Sequence, residues 1–410
     1  IVRGDMKISD LAASVSESAT MKFNERANQL RAEGKPVVHL GIGEPKNRAP
    51  ETALAASSDK LQDGYIKYTP AAGLPSLRRA IADYTTELYG REVPPTNVIA
   101  SNGSKHALFN VLMAIVNPGD KVLMPVPYWV TYPEMVKLVR GVPSFVQPEP
   151  GSLVPDVDSV IKAVDDNTAA ILLNSPNNPS GMVVGGAFLE KLVGFCEQRD
   201  VYLIMDDIYR DLVFDGGEAP SAYRYTNKDL DSSHIIVIHG VSKLYGMTGF
   251  RLGWSIAPEL VTSAINRLQG QMTSNASVIS QAAAEGALSG DQNVVEELRL
   301  HLQANRDRLL DELADLEGLK VERPQGGLYS FPDFTAFNPD SLALSEFLLE
   351  KALVVTVPGV EFGMEGYIRL GFAGSAEDVV EGARRIKWAL DPGQPTEIRM
   401  GDQVVTRDWN

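Results

Sequence analysis

Two spacings of apolar residues alternate along this chain. Short unbroken apolar runs, each stopped by small or polar residues, recur at Val98-Ile99-Ala100, Val122-Leu123-Met124, Ala169 to Leu173, Val201 to Met205 and Ile235 to Ile238. Runs of this length, rich in β-branched residues and bounded by Gly, Pro, Asn or Asp, predict strands buried on both faces. Between them the apolar residues recur every three to four positions, as in Leu77, Ile81, Tyr84 and Leu88, or Leu108, Val111, Leu112 and Ile115, or Phe188 to Phe195. That spacing predicts helices with one apolar face. Buried strands alternating with helices predict an α/β fold around a mostly parallel sheet with helices on both sides.

The flanks read differently. Residues 1 to about 36 are polar and helix-prone, with Met21, Phe23, Ala27 and Leu30 spaced for one helical face. Val37 to Leu40 predicts a short strand closed by Gly41-Ile42-Gly43-Glu44-Pro45. No third glycine follows, and Pro45 disfavours a helix there, so this is not a dinucleotide fingerprint but a loop kept bare at Gly43 for close approach of a ligand. Beyond residue 260 a long helical stretch carries Leu298, Leu302, Leu309, Leu310 and Leu313. A mixed segment follows, through Val321, Gly326 to Phe331 and Val354 to Gly359; Tyr367 to Ala373 alternates in the manner of a strand, and a last helix covers about 376 to 390. This smaller α+β unit is expected to pack with the N-terminal arm.

Composition narrows the function classes. A chain of 410 residues exceeds one ordinary core, and a hydrophobic share of 44% with 22% charged residues is that of a globular protein. Lys plus Arg total 38 against 53 Asp plus Glu, giving −15. That balance argues against nucleic acid or an anionic membrane as the partner of the whole surface, and leaves room for a small basic pocket. The single Cys196 excludes an intramolecular disulfide, fits a reducing, cytoplasmic setting, and lies with Phe188, Leu192 and Phe195 as core packing. No apolar run approaches a membrane span. Ile1 to Asp5 lacks both the apolar core of a secretion signal and an initiator Met, so residues upstream are expected. The five histidines form no metal-ligand spacing, and Ser57-Ser58-Asp59-Lys60 matches a bare SxxK pattern without its companion motifs.

Candidate chemistry gathers at the strand ends. After Val98 to Ala100 come Asn102-Gly103-Ser104-Lys105 and a helix, a turn whose backbone N–H groups and helix dipole suit an anion. Trp129 follows the strand at Val122, Asn178 the strand at Ala169, and Asp206 and Tyr209 the strand at Val201. Lys243 and Arg251 follow the strand at Ile235. In an open parallel sheet ligands sit beyond these ends, so all eight residues should converge. A lysine at the rim of an apolar core loses hydration, and its amine can form a Schiff base with a carbonyl. Arg251 offers a fork for a phosphate. Pyridoxal phosphate suits the set: Lys243 for its aldehyde, Arg251, Ser104 and the Lys105 turn for its phosphate, Asp206 for its pyridine nitrogen. Tyr209 and Asn178 would reach its phenolic oxygen, and Trp129 its ring face.

The spaced motifs carry a resemblance. GEP at Gly43 to Pro45, KYTPAAG at Lys67 to Gly73 and NGSKHALFN at Asn102 to Asn110 are the first three. PYW at Pro127 to Trp129, NSPNNPSG at Asn174 to Gly181 and DDIY at Asp206 to Tyr209 continue the set. SKLYGMTGFRLG at Ser242 to Gly253 and YIRLGFA at Tyr367 to Ala373 complete it. As a set, over roughly residues 8 to 390, the chain resembles the class I/II (fold type I) pyridoxal-phosphate aminotransferases, above all the bacterial aspartate and aspartate/prephenate group. The resemblance implies a seven-stranded-type sheet, with residues 1–60 as N-terminal arm and part of a small domain, 61–290 as the large cofactor-binding domain, 291–392 as the C-terminal small domain and 393–410 as a polar tail. It implies Lys243, Asp206 and Tyr209 as catalytic, and Arg369 as the clamp for the substrate's α-carboxylate with the Gly43 backbone nearby. Lys105, Trp129 and Asn178 would also meet substrate. Tyr68 would cross from a partner subunit to the cofactor phosphate, making a homodimer with shared active sites. Lys105 with Ser18 and Thr20 favours a dicarboxylic substrate, while Met272, in a loop Gly270 to Asn275 expected from the partner, leaves room for an apolar or aromatic one.

Departures from the pattern are Gly240, where many relatives carry a phosphate-binding Ser, Asp207 in DDIY, and Ser180 in NPSG. The expected reaction is ping-pong amino transfer between aspartate and 2-oxoglutarate. Preference for aromatic amino acids, prephenate or alanine, or a pyridoxal-phosphate lyase on the same fold, stays open at this point. A cofactor-binding regulator fits less well, because the chain has no basic DNA-binding module to spare.

Overall fold

The computed structural model describes residues 8–15, 19–41 and 43–409, with the side chains of 19–21 left aside. Seven strands build the central sheet: β1 (Val98–Ser101), β2 (Lys121–Pro125), β3 (Val142–Val146), β4 (Thr168–Asn174), β5 (Tyr202–Asp206), β6 (Ile235–Gly240) and β7 (Gly253–Ile256). Their spatial order is β1-β7-β6-β5-β4-β2-β3. β3, β2, β4, β5 and β6 run parallel, and β7 is antiparallel to both of its neighbours. The five apolar runs are therefore strands, and β4, β5 and β6 are buried nearly throughout, as unbroken Ile/Leu/Val sequences require.

Two strands escape the sequence reading. β3 is an edge strand whose Val142 and Phe145 are exposed, so it lacks a continuous buried run. β7 begins on a glycine and spans four residues, too short for a period to show. Its antiparallel sense matters. Gly253 pairs with Gly240 at the end of β6 and with Ser101 at the end of β1, so Arg251 sits at the same rim as Lys243 and Ser104.

Helices cover both faces, among them Pro75–Tyr89, Ser104–Ile115, Gly186–Arg199 and Glu259–Met272. Gly270 to Met272, expected within a loop, thus close a helix instead, and Met272 is 41% exposed. Cys196 is buried in the core, where burial pushes its thiol up to about 12. The N-terminal arm meets the C-terminal unit. Val38–His39 pairs in parallel with Val354–Val355, and Ile368–Gly371 lies between Val357–Pro358 and Tyr329–Ser330. Among the described residues no helix is long and apolar enough to cross a membrane.

The end of the chain is folded rather than a trailing tail. Glu397–Met400 and Gln403–Thr406 form an antiparallel hairpin. Arg407 donates to the carbonyls of Trp388, Asp391, Pro392 and Gln394, capping the helix Ala376–Leu390, and Trp409 packs edge-on to Trp388 and Phe347. Polar composition concealed this, because the stabilising contacts are to backbone carbonyls and to Trp388 and Phe347, earlier in the chain.

Candidate active site

One cavity of about 620 Å³ opens beyond the strand ends. It is lined by Gly43, Ser104, Lys105, Trp129, Asn178 and Asp206, with Tyr209, Lys243, Arg251 and Arg369, but by neither Tyr68 nor Met272. Tyr68 is 88% exposed and outside this cavity. Ser18 lies outside the described residues, as does the side chain of Thr20.

The floor is a buried carboxylate. Asp206 ends β5 at 5% exposure, and the Tyr132 hydroxyl donates to its Oδ2 at 2.6 Å while the Ile208 N–H points to Oδ1 at 3.4 Å. Burial pushes its carboxyl up to about 6 against these two hydrogen bonds. Asn174, ending β4, braces the floor. Its amide donates to the Asp206 carbonyl at 2.7 Å, and its Oδ1 accepts the Asn178 N–H at 2.7 Å. Tyr209 lies against Tyr329, and burial drives its phenol well above the usual range. Trp129 packs edge-on to Tyr132, and the Lys105 ammonium lies 4.8 Å above the indole. Burial first, then Arg251 and Lys243, lowers the Lys105 amine.

The lysine rim is built on close glycine contacts. Lys243 sits in the four-residue helix Val241–Leu244 directly after β6, and its Nζ donates to the Gly43 carbonyl at 2.6 Å. Gly240 is extended, so no strain argues for glycine there; space does. A Cβ at 240 would lie 2.5 Å from Ser104 Oγ and 2.8 Å from Gly253 Cα. The hydroxyl absent at 240 is thus displaced by that of Ser104, which donates to the His239 carbonyl at 3.0 Å. Gly103 has φ +87°, and a Cβ on it would lie 2.6 Å from Arg251 Nη2. Only a bare backbone lets the guanidinium lie over the start of the helix Ser104–Ile115, whose first N–H groups lack intrahelical partners.

Arg369 is the buried counterpart, 5% exposed on the strand Ile368–Gly371. Its Nη1 donates to Asn178 Oδ1 at 3.0 Å and its Nη2 to the Gly41 carbonyl at 3.1 Å. The Tyr329 ring lies 4.2 Å from its guanidinium carbon and Phe362 5.1 Å. Its Nε has no hydrogen-bond partner among the described residues. A desolvated cation whose partners are neutral oxygens favours an incoming anion.

The cavity also holds residues that sequence reasoning passed over: Tyr132, Asn174, Tyr329, His39 and Asn24. Tyr132, three residues after Trp129 on a helical start, and Asn174, at a strand end, carried a signal. Tyr329 showed only as part of a mixed, glycine-bearing segment, and His39 only as part of a strand. Burial, followed by Arg31 and other cations, pushes the His39 imidazole down to about 4.

The sequence pattern described as "Aminotransferase class I and II" matches residues 35–386. The chain belongs to the class I and II aminotransferases. It is 39% identical over 391 residues to a protein of Aquifex aeolicus named "Probable aspartate/prephenate aminotransferase", covering 93% of this chain and 98% of that one. It is 36% identical to the aspartate aminotransferase of Streptomyces avermitilis, covering 94% and 97%. Among solved structures, the Thermus thermophilus aspartate aminotransferase with maleate superposes at TM-score 0.88 with 36% identity, over 93% of this chain and 99% of that chain. The Rhizobium meliloti aspartate aminotransferase gives 0.90 at 31% identity, over 94% and 99%. This aminotransferase therefore has the fold type I architecture, and its chain exceeds these relatives by a small share of its length.

Proposed function

We propose that this aminotransferase moves the amino group of aspartate to 2-oxoglutarate on pyridoxal 5'-phosphate, yielding oxaloacetate and glutamate. The observation that carries the reading is one cavity holding an amine, a buried carboxylate and a buried guanidinium: Lys243, Asp206 and Arg369. The residues present fit the cofactor. Arg251, the Ser104 hydroxyl and the N-terminus of the Ser104–Ile115 helix suit a phosphate, Trp129 offers a flat face, and the Asp206 carboxylate suits a protonated ring nitrogen. When bound, the cofactor supplies an electron sink for the electrons left as the substrate's Cα–H bond breaks.

The chain's own groups do the remaining work. Asp206, steadied by the Tyr132 hydroxyl, keeps the ring-nitrogen proton in place. Arg369 takes the substrate's α-carboxylate on its fork, and Asn178 holds that fork still. Lys243 Nζ, when free, would take the Cα proton and deliver it to the cofactor carbon on the far side of the substrate nitrogen, oriented by the Gly43 carbonyl. Lys105 supplies positive charge for a second carboxylate. Prephenate, which figures in the Aquifex relative's name, is a second acceptor, and the exposed Met272 supports tolerance of a ring.

The same reading takes the enzyme as a homodimer in which exposed Tyr65, Tyr68 and Met272 are covered and Tyr68 reaches the partner's phosphate. The lone buried Cys196 supports a reducing, cytoplasmic setting. Aspartate and 2-oxoglutarate should give oxaloacetate and glutamate in equal amounts with ping-pong kinetics; ammonia release without glutamate would sink the assignment. Lys243→Ala should lose the covalent, borohydride-fixed attachment of cofactor to chain.

A further inference from the structure

A continuous hydrogen-bonded chain runs through the cavity wall from Arg369 to the N-terminal helix Ala19–Ala32. Arg369 Nη2 donates to the Gly41 carbonyl at 3.1 Å, the Gly41 N–H donates to His39 Nδ1 at 3.1 Å, and His39 Nε2 lies 2.7 Å from Asn24 Oδ1. Asn24 and His39 both line the cavity, and neither is accounted for by the roles assigned above.

The direction of each bond follows from the first. A backbone N–H can only donate, so His39 Nδ1 accepts and carries no proton. The neutral ring then bears its proton on Nε2 and donates it to Asn24. Asn24 must meet that donor with its oxygen, which turns its NH2 group away from His39. The orientation of this amide, ordinarily ambiguous, is thus set by a main-chain donor two residues beyond His39.

A carboxylate gripped by the Arg369 fork engages both of its oxygens. A donor at the other end of the relay is left for a different oxygen. We propose that Asn24 is a specificity-determining residue whose Nδ2 donates to the second carboxylate of a dicarboxylic substrate, with His39 as the positioning residue that holds the amide in that sense. The inference rests on the aspartate reading above and deepens it. Lys105 supplies charge to that carboxylate, and Asn24 supplies direction, so the pair discriminates a second carboxylate from an apolar side chain.

The test is binding of two unreactive acids to holoenzyme, followed by the change in the visible cofactor spectrum and by calorimetry: maleate, with two carboxylates, and hydrocinnamate, with one. Asn24→Leu should weaken maleate about tenfold or more, the effect of losing one hydrogen bond to a charged group, and leave hydrocinnamate within about twofold. Asn24→Asp, nearly isosteric, should weaken maleate further, because a carboxylate then faces a carboxylate. His39→Phe should give a partial loss confined to maleate. Unchanged maleate binding in Asn24→Leu and Asn24→Asp overturns the proposal, and so does equal weakening of both acids. The parent enzyme's turnover of aspartate separates the two levels. Absent turnover removes the reading beneath the proposal, whereas normal turnover with indifferent Asn24 variants removes the proposal alone.

Discussion

Arg369 is 5% exposed, clasped by the rings of Tyr329 and Phe362 and bonded to two neutral oxygens, whereas Arg251 is exposed and held by the Thr248 carbonyl at 2.9 Å over a bare glycine. Both line the same cavity. The first has its desolvation met by folding, so its fork is rigid and suited to a planar carboxylate. The second keeps its hydration and works with a helix N-terminus, which suits a dianion that stays partly in water. On the proposed reading, one fold thus offers two anion sites of different stringency, Arg369 to select and Arg251 to anchor.

The comparison breaks if the two roles are not separable. Arg369→Ala should lower kcat/KM for every amino acid by about a thousandfold, as expected from removing one partner of a buried charge pair. Cofactor affinity should stay near the parent's, and loss of cofactor instead would merge the two sites. Arg251→Ala should do the reverse, weakening cofactor by roughly 10- to 100-fold for one lost charge-assisted contact while kcat at saturating cofactor stays close to the parent's. Equilibrium dialysis and steady-state kinetics on both variants decide this.

Gly103→Ala sharpens the point about the exposed arginine. A side chain at φ +87° costs about 1–2 kcal/mol, and its Cβ would push the guanidinium aside. Denaturant unfolding should show that loss, with weaker cofactor binding on top; full retention of cofactor would mean that Arg251 is not placed by that glycine. The smallest expected effect concerns the floor. Burial raises Asp206 to about 6, so lowering pH through that value protonates it and removes the charge facing the ring nitrogen. Cofactor affinity should therefore fall as pH drops through about 6, and Asp206→Asn should bind cofactor more weakly and lose that inflection. An inflection that survives in Asp206→Asn belongs to another group.

Local patterning carried much of this molecule. Five of the seven sheet strands and the helices between them were legible because a buried parallel strand must be apolar on both faces and a covering helix on one. The converging site was legible for a related reason: polar residues directly after such strands share one rim. Gly240 shows where this stops. A missing hydroxyl looked like a loss, yet the space is filled by Ser104, 136 positions earlier in the chain, and no local pattern records such a contact.

Residue type and spacing by themselves settled the α/β class and made Lys243 and Arg251 candidates, since periodicity is a property of neighbours along the chain; Arg369 entered only through the resemblance carried by the motif set. Folding alone decided the antiparallel β7 that brings Arg251 to the rim, the burial that divides Arg369 from Arg251, the folded C-terminal hairpin, and the Asn24–His39–Gly41–Arg369 relay. Each depends on which distant segments meet, and solvent exclusion and hydrogen-bond direction arise only after they have met.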